Sequence, residues 1–275
     1  MISNMTVKIE KIIVKDFLGI ESAEIELSKP IILYGPNGGG KSSIINAILK
    51  FLKGEQIISD SEKRGDDAKL ELYYNNNVIE IPSTQYHKGI LKDVKYCHIT
   101  AFNVECNIQL FQLLNNWYFN ADTIFITDPK LGEIFRKILR DYVSDPEQKI
   151  EFEDFYYDSV RINEKWIPFK NLSYGQKRFL ALNLIMELLK SNLIDVGLIE
   201  DFDASLHVDF IVNFIENFPK DKSILIETHS AIALVKAFKQ GFNVYYVAGG
   251  KVMKISDLKR DAPLLSRELE VVNKI

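Results

Sequence analysis

The stretch that leaves this chain least freedom is Gly35-Pro36-Asn37-Gly38-Gly39-Gly40-Lys41-Ser42, entered from the apolar run Ile31-Ile32-Leu33-Tyr34 and left through Ser43-Ile44-Ile45-Asn46-Ala47-Ile48-Leu49. The order is strand, loop, helix. Four glycines among eight residues let the backbone curl with successive N–H groups turned inward, where they meet the positive end of the following helix. A phosphate is the guest such a cradle suits. Every fixed position of the pattern G-x-x-x-x-G-K-[ST] is met, so Lys41 can reach the β- and γ-phosphates of a nucleotide and the Ser42 hydroxyl can ligate Mg²⁺. Asn37, Gly38, Gly39, Gly40, Lys41, Ser42 and Ser43 are therefore the expected nucleotide-binding residues. A glycine-rich turn with a chance lysine is the competing reading, and the ordered succession of strand, motif and helix speaks against it.

The 275 residues suit one large domain or two lobes, and 47% hydrophobic with 26% charged residues describes a globular protein with ample core. No apolar run approaches the ~20 residues that span a bilayer, and Met1-Ile2-Ser3-Asn4-Met5 lacks a basic segment followed by an apolar one. No membrane association and a cytoplasmic location are expected. Cys97 and Cys106 are too few for a disulfide framework or a zinc site, and four scattered histidines add no ligand cluster; both cysteines read as buried thiols. A net charge of −4 supplies no global attraction for nucleic acid, although a local basic face could exist.

Val7 to Lys15 and Ser22 to Leu27 alternate apolar with polar residues around a turn at Asp16-Phe17-Leu18-Gly19, predicting two half-buried strands. After the phosphate loop the helix runs through Lys53 to Gly54, and Ser59 to Asp67 reads as a loop. A hairpin follows, from Lys69 to Tyr74, through Asn75-Asn76-Asn77, to Val78–Ile81. Val94 to Ile99 is another strand. Phe102 to Phe119 and Leu131 to Val143 carry helical periodicity, and the aromatic residues Phe111, Trp117, Tyr118 and Phe119 read as core rather than base-stacking groups. Ile150 to Phe169 returns to strands, with Asn163-Glu164 as a tight turn, and the tail reads as Val244–Ala248, a turn at Gly249-Gly250, Lys251–Ile255 and a helix from about Asp257. No repeat or sustained heptad pattern is present.

Leu172-Ser173-Tyr174-Gly175-Gln176-Lys177-Arg178 opens an apolar-periodic run, so Ser173 can cap a helix whose N-terminus again offers N–H groups to an anion. Val196-Gly197-Leu198-Ile199-Glu200-Asp201 is a short buried strand ending in two carboxylates, where α/β sheets place ligand chemistry. Asp203-Ala204-Ser205-Leu206-His207 follows, with Asp203 and His207 suited either to dimer contact or to helix capping. Ile224-Leu225-Ile226-Glu227 is a further core strand, succeeded by Thr228-His229-Ser230.

Taken in this order, the motifs resemble those of ABC-type ATPases of the SMC-, RecF- and OLD-like branch, AAA ATPases rather than transporter subunits. The resemblance implies that Ser173, Gly175 and Gln176, in a variant of Leu-Ser-Gly-Gly-Gln, touch the γ-phosphate held by a second protomer. It places Glu200 with Ser42 on Mg²⁺, Asp201 as the general base and His229 as the γ-phosphate sensor. The family's usual order is Asp-Glu, so Glu200-Asp201 implies slow hydrolysis. Gln85, Gln109 and Gln112 are all open as the glutamine between phosphate loop and signature.

The expected fold is α/β, a P-loop NTPase with an ABC-ATPase-like head: a mixed central sheet, an antiparallel β subdomain and a helical lobe, without a long coiled coil. A single domain over residues 1–275 would divide into a nucleotide-binding core (about 1–100 and 171–275) and an insertion (about 101–170). The expected ligands are ATP and Mg²⁺, and the expected activity is ATP hydrolysis in an ATP-dependent homodimer that drives a nuclease or other effector partner, with nucleic acid possible. A slow nucleotide switch or scaffold is the alternative reading, and a P-loop phosphotransferase a third, against which the signature stretch argues.

Overall fold

The computed structural model describes residues 8–82, 91, 93–100, 104–107, 152–156, 159–168, 171–261 and 266. The chain divides into two units, Met1–Val94 with Lys220–Ile275, and Lys95–Pro219.

In the first unit, alternation of apolar and polar residues produces a hairpin of β1 (Ile9–Phe17) and β2 (Ile20–Glu26). Ile12, Val14, Ile20, Ala23 and Ile25 are buried, while Lys15 and Glu24 face outward. The strands run further than the alternation predicts. Phe17 pairs directly with Ile20 and both are fully buried, so only Leu18-Gly19 remains to connect them.

An uninterrupted apolar run is what a strand covered on both faces needs, and β3 (Ile31–Tyr34) is buried at every position. It leads through the glycine loop into α1 (Lys41–Leu52). β4 (Lys69–Tyr74) and β5 (Asn77–Ile81) form the expected hairpin, turned by Asn75 and Asn76 at φ 43° and 62°. Asparagine tolerates that left-handed conformation.

The second unit contains β6 (Tyr96–Ile99), β7 (Val104–Cys106), β8 (Phe152–Tyr156), β9 (Ser159–Ile162), β10 (Lys165–Pro168), α2 (Tyr174–Lys190), β11 (Val196–Ile199) and α3 (Val208–Asn217). β6 lies between antiparallel β7 and parallel β11. β8, β9 and β10 form a separate antiparallel sheet, with Asn163-Glu164 turning the last hairpin at φ 49° and 63°. One expectation is corrected here: Cys97 and Cys106 are joined in a disulfide rather than free as thiols. The antiparallel register places them directly opposite each other, with Cα atoms 4.1 Å apart.

The chain then returns to the first unit through β12 (Ser223–Thr228), α4 (Ala231–Lys239), β13 (Asn243–Ala248), β14 (Lys251–Lys254) and α5 (Leu258–Asp261). The strand order within this unit is β5-β4-β1-β2-β14-β13-β3-β12. β3 has parallel neighbours on both sides, β12 and β13, and antiparallel pairs build the far arm. The sheet is therefore mixed, with the phosphate loop rising from its most buried strand. No helix among the described residues is long and apolar enough to cross a membrane. The helix expected over 102–119 is corrected at its start, where Val104–Cys106 is strand β7, drawn into the sheet by antiparallel pairing with β6; the remainder of that segment, the helix expected at 131–143, and Gln85, Gln109 and Gln112 lie outside the described residues.

Candidate nucleotide site

The phosphate loop is held by backbone approach. A Cβ added at Gly35 would stand 2.1 Å from the carbonyl oxygen of Val247 on β13, and one added at Gly39 would stand 2.5 Å from the same atom. Any side chain at either position would push the loop off β13. Gly40 is the N-cap of α1 at φ 108°, which a side chain rarely adopts. The N–H of Gly39 donates to the carbonyl of Pro36 (3.1 Å), closing the loop. α1 starts with no side-chain cap and no acid in its first turn, the arrangement that leaves an N-terminus suited to an anion. Asn37 and Gly38 are exposed at the mouth, and a Cβ at Gly38 would meet open space.

Lys41, the first residue of α1, has a side chain only 2% exposed. Its Nζ donates to the carbonyls of Gly35 (3.1 Å) and Pro36 (3.0 Å). The Ser42 hydroxyl donates to Oε2 of Glu227 at 2.8 Å, and Oε1 of that carboxylate lies 3.6 Å from Lys41 Nζ. Glu227 reaches the loop because β12 runs parallel to β3 with Glu227 opposite Leu33. The sequence marks Glu227 only as part of a core strand. The signal it carries is a charged residue in an otherwise apolar run, directly before Thr-His-Ser. Ser43, by contrast, accepts a hydrogen bond from the N–H of Gly19 (3.2 Å), which ties the β1–β2 turn to the loop.

His229 stands between the end of β12 and α4. Thr228 Oγ1 accepts from the Ser230 N–H (3.0 Å) and the Ser230 hydroxyl caps α4 by accepting from Ala233 (3.2 Å), so both flanks of the histidine are fixed.

In the second unit, Ser173 is the N-cap of α2 and forms a reciprocal pair with Gln176: its hydroxyl accepts from the Gln176 N–H (3.2 Å), and Gln176 Oε1 accepts from the Ser173 N–H (2.8 Å). Such a capping box fixes the chain's entry into the helix. Gly175 is required by packing, since a Cβ there would stand 2.6 Å from the carbonyl oxygen of Ser205. Ser205 itself sits at φ 60° and Asp201 at φ 46°.

Arg178 is fully buried, and its guanidinium donates to the backbone carbonyls of Thr100 (2.7 Å), Asp201 (2.8 Å) and Glu200. One side chain thereby positions the end of β11 and the residue after β6. The sequence signal for it is a cation on the apolar stripe of α2, in helical register with Leu182 and Ile185. Glu200 Oε1 lies 2.8 Å from Nε2 of buried His98, whose strand runs parallel to β11. Between the two motifs Phe202 is fully buried and packs on Phe214 at 5.1 Å. His207 caps α3, its Nδ1 accepting from the Asp209 N–H at 3.4 Å, as the capping reading expects.

Comparison with known proteins agrees with this geometry. A sequence model described as "AAA domain" matches residues 11–107, and one described as "AAA domain, putative AbiEii toxin, Type IV TA system" matches residues 109–236. No curated protein matches the chain. Among solved structures, the SMC head domain from Thermotoga maritima is 16% identical, with a TM-score of 0.56 over 91% of this chain and 100% of that one. The Pyrococcus furiosus Smc head bound to the C-terminal domain of ScpA is 14% identical, with a TM-score of 0.55 over 98% and 99%. A nucleotide-free ATP-binding cassette from an ABC transporter is 14% identical, with a TM-score of 0.51 over 94% and 97%. Both sequence models describe AAA domains, and the chain has the mixed α/β P-loop fold of those SMC heads and ATP-binding cassettes.

Proposed function

We propose that the chain binds ATP with Mg²⁺ and hydrolyses it slowly, as one half of a nucleotide-dependent homodimer that gates a partner protein. The observation that carries this reading is the glycine loop packed on Val247, with Lys41 and Ser42 at the start of α1. Lys41 can exchange the two loop carbonyls it now contacts for phosphate oxygens, and the Ser42 hydroxyl is a hard oxygen ligand of the kind Mg²⁺ takes. The donor set therefore fits the nucleotide and its cation. Mg²⁺ bound there would offset phosphate charge and polarise the γ-phosphoryl group.

The remaining roles are assigned by resemblance. Glu200 is assigned to Mg²⁺, Asp201 to orienting the attacking water and His229, in the first unit, to sensing the γ-phosphate. Ser173, Gly175 and Gln176 are assigned to a nucleotide held by the other protomer, since a chain with one phosphate loop and one signature would need a second copy to complete each site. A protein partner is favoured by the Pyrococcus furiosus head, which is seen bound to ScpA, while a nuclease, a nucleic acid or a toxin–antitoxin setting are finer assignments of the same switch. The cytoplasm is the compartment that fits.

Light scattering with Asp201→Asn tests the reading, because loss of the base should slow turnover while sparing affinity. ATP should convert that variant from monomer to dimer. A monomer under all nucleotide conditions would refute the dimer, and unchanged kcat would remove Asp201 from the mechanism.

A further inference from the structure

We propose that Glu227 is a divalent-cation ligand of the nucleotide site and makes nucleotide binding depend on the metal. The inference rests on the nucleotide-site reading above and goes beyond it by assigning a carboxylate from outside the Glu200-Asp201 pair.

Glu227 is an acid with a side chain 6% exposed, and such a group is retained in a core only when it is paired. Its partners include the two side chains a nucleotide must engage, the Ser42 hydroxyl at 2.8 Å and the Lys41 ammonium at 3.6 Å. Of these two contacts the shorter goes to the serine hydroxyl rather than to the ammonium. The separation also suits shared ligation. Adjacent oxygens around an octahedral Mg²⁺ with bonds of 2.0–2.1 Å lie about 2.9 Å apart, close to the Ser42–Glu227 spacing of 2.8 Å.

The position has an electrostatic consequence. A polyphosphate drawn to Lys41 arrives beside a buried carboxylate already close to that lysine, and like charges in a site with little water repel strongly. Without a divalent cation, the loop would therefore discriminate against the nucleotide. With one, Glu227 changes from a repelling charge into a ligand, and Lys41 is released to the phosphates. Nucleotide and metal bind cooperatively, and Glu227 carries much of the coupling.

Calorimetric titration of ADP in the presence of Mg²⁺ or of EDTA tests this on the whole chain without reference to turnover. In the unaltered protein Mg²⁺ should tighten ADP binding, and in Glu227→Gln that tightening factor should fall by about tenfold or more, in part because metal-free ADP binds better. Glu227→Asp keeps the charge but withdraws it by one methylene and should give an intermediate factor, so it decides the matter if the glutamine variant does not fold. A factor equal to that of the unaltered protein in whichever variant folds would overturn the proposal while leaving the nucleotide site intact. Absence of ADP binding to the unaltered protein in both conditions would overturn the site and the proposal together.

Discussion

The phosphate loop of the first unit and the carboxylate-bearing end of β11 in the second reach comparable order by opposite means. In the loop, Gly35 and Gly39 let backbone touch backbone on β13, so the shape is written in residues that lack side chains. At the end of β11, a single buried guanidinium gathers the carbonyls of Thr100, Glu200 and Asp201, and two non-glycine residues, Asp201 and Ser205, are held at positive φ. The first region is constrained by what it excludes. The second depends on one long side chain placed where a helix would otherwise bury a hydrophobe.

Arg178→Ala should break the second region with the largest effect. It removes the donor shared by three part-buried carbonyls and empties the volume of a large, fully buried side chain, a loss of about 3–5 kcal/mol in a denaturant titration. A loss below about 1 kcal/mol would mean that the β11 end is held by something else. Gly35→Ala probes the other side of the comparison. Its methyl group would meet the Val247 carbonyl, so a cost of about 2–3 kcal/mol is expected, with nucleotide affinity falling alongside; tolerance of the methyl group would show that the loop is not set by backbone contact.

Reduction of the Cys97–Cys106 bond should act within the second unit alone. The disulfide closes a short loop, its two cysteines separated by 9 in sequence, so a stability loss of about 2 kcal/mol is expected, and the Mg²⁺-ADP affinity should be unchanged. A fall in affinity on reduction would show that the two regions are coupled.

The smallest effect sharpens the role of the strained backbone. Asp201 is one methylene shorter than the glutamate usual in the resembling family, and its φ of 46° supplies a local reason for the shorter acid, since aspartate tolerates that conformation better than most side chains. Asp201→Glu should lower stability by about 0.5–1 kcal/mol and raise kcat, because the longer carboxylate reaches further toward water. Lower turnover would show a site built around aspartate.

What the sequence made legible follows the same division. The glycine loop, the Ser173 cap and the Asn163-Glu164 turn are local, and each states its backbone conformation in adjacent residues. Glu227 and Ser42 meet across 185 positions because β12 pairs with β3, and periodicity says nothing about which strands become neighbours. The disulfide was missed for the same reason, since the β6–β7 register had to be known before two cysteines could be seen as opposite. Arg178 left a trace, a charge on an apolar stripe, but its three carbonyl partners come from two segments far apart in sequence, the residue after β6 and the end of β11. His207 shows the reverse case, in which local capping chemistry accounted for the position.

The central claim is that Lys41 and Ser42 form the phosphate end of an ATP site, and Mg²⁺-ATP affinity of Lys41→Ala measures it most directly. The variant's unfolding transition should be recorded first, because removing Lys41 leaves Glu227 with one fewer partner. In folded protein, loss of the ammonium should weaken Mg²⁺-ATP by at least about tenfold, with the unaltered chain binding under the same conditions. Equal affinity in the two proteins would contradict the account.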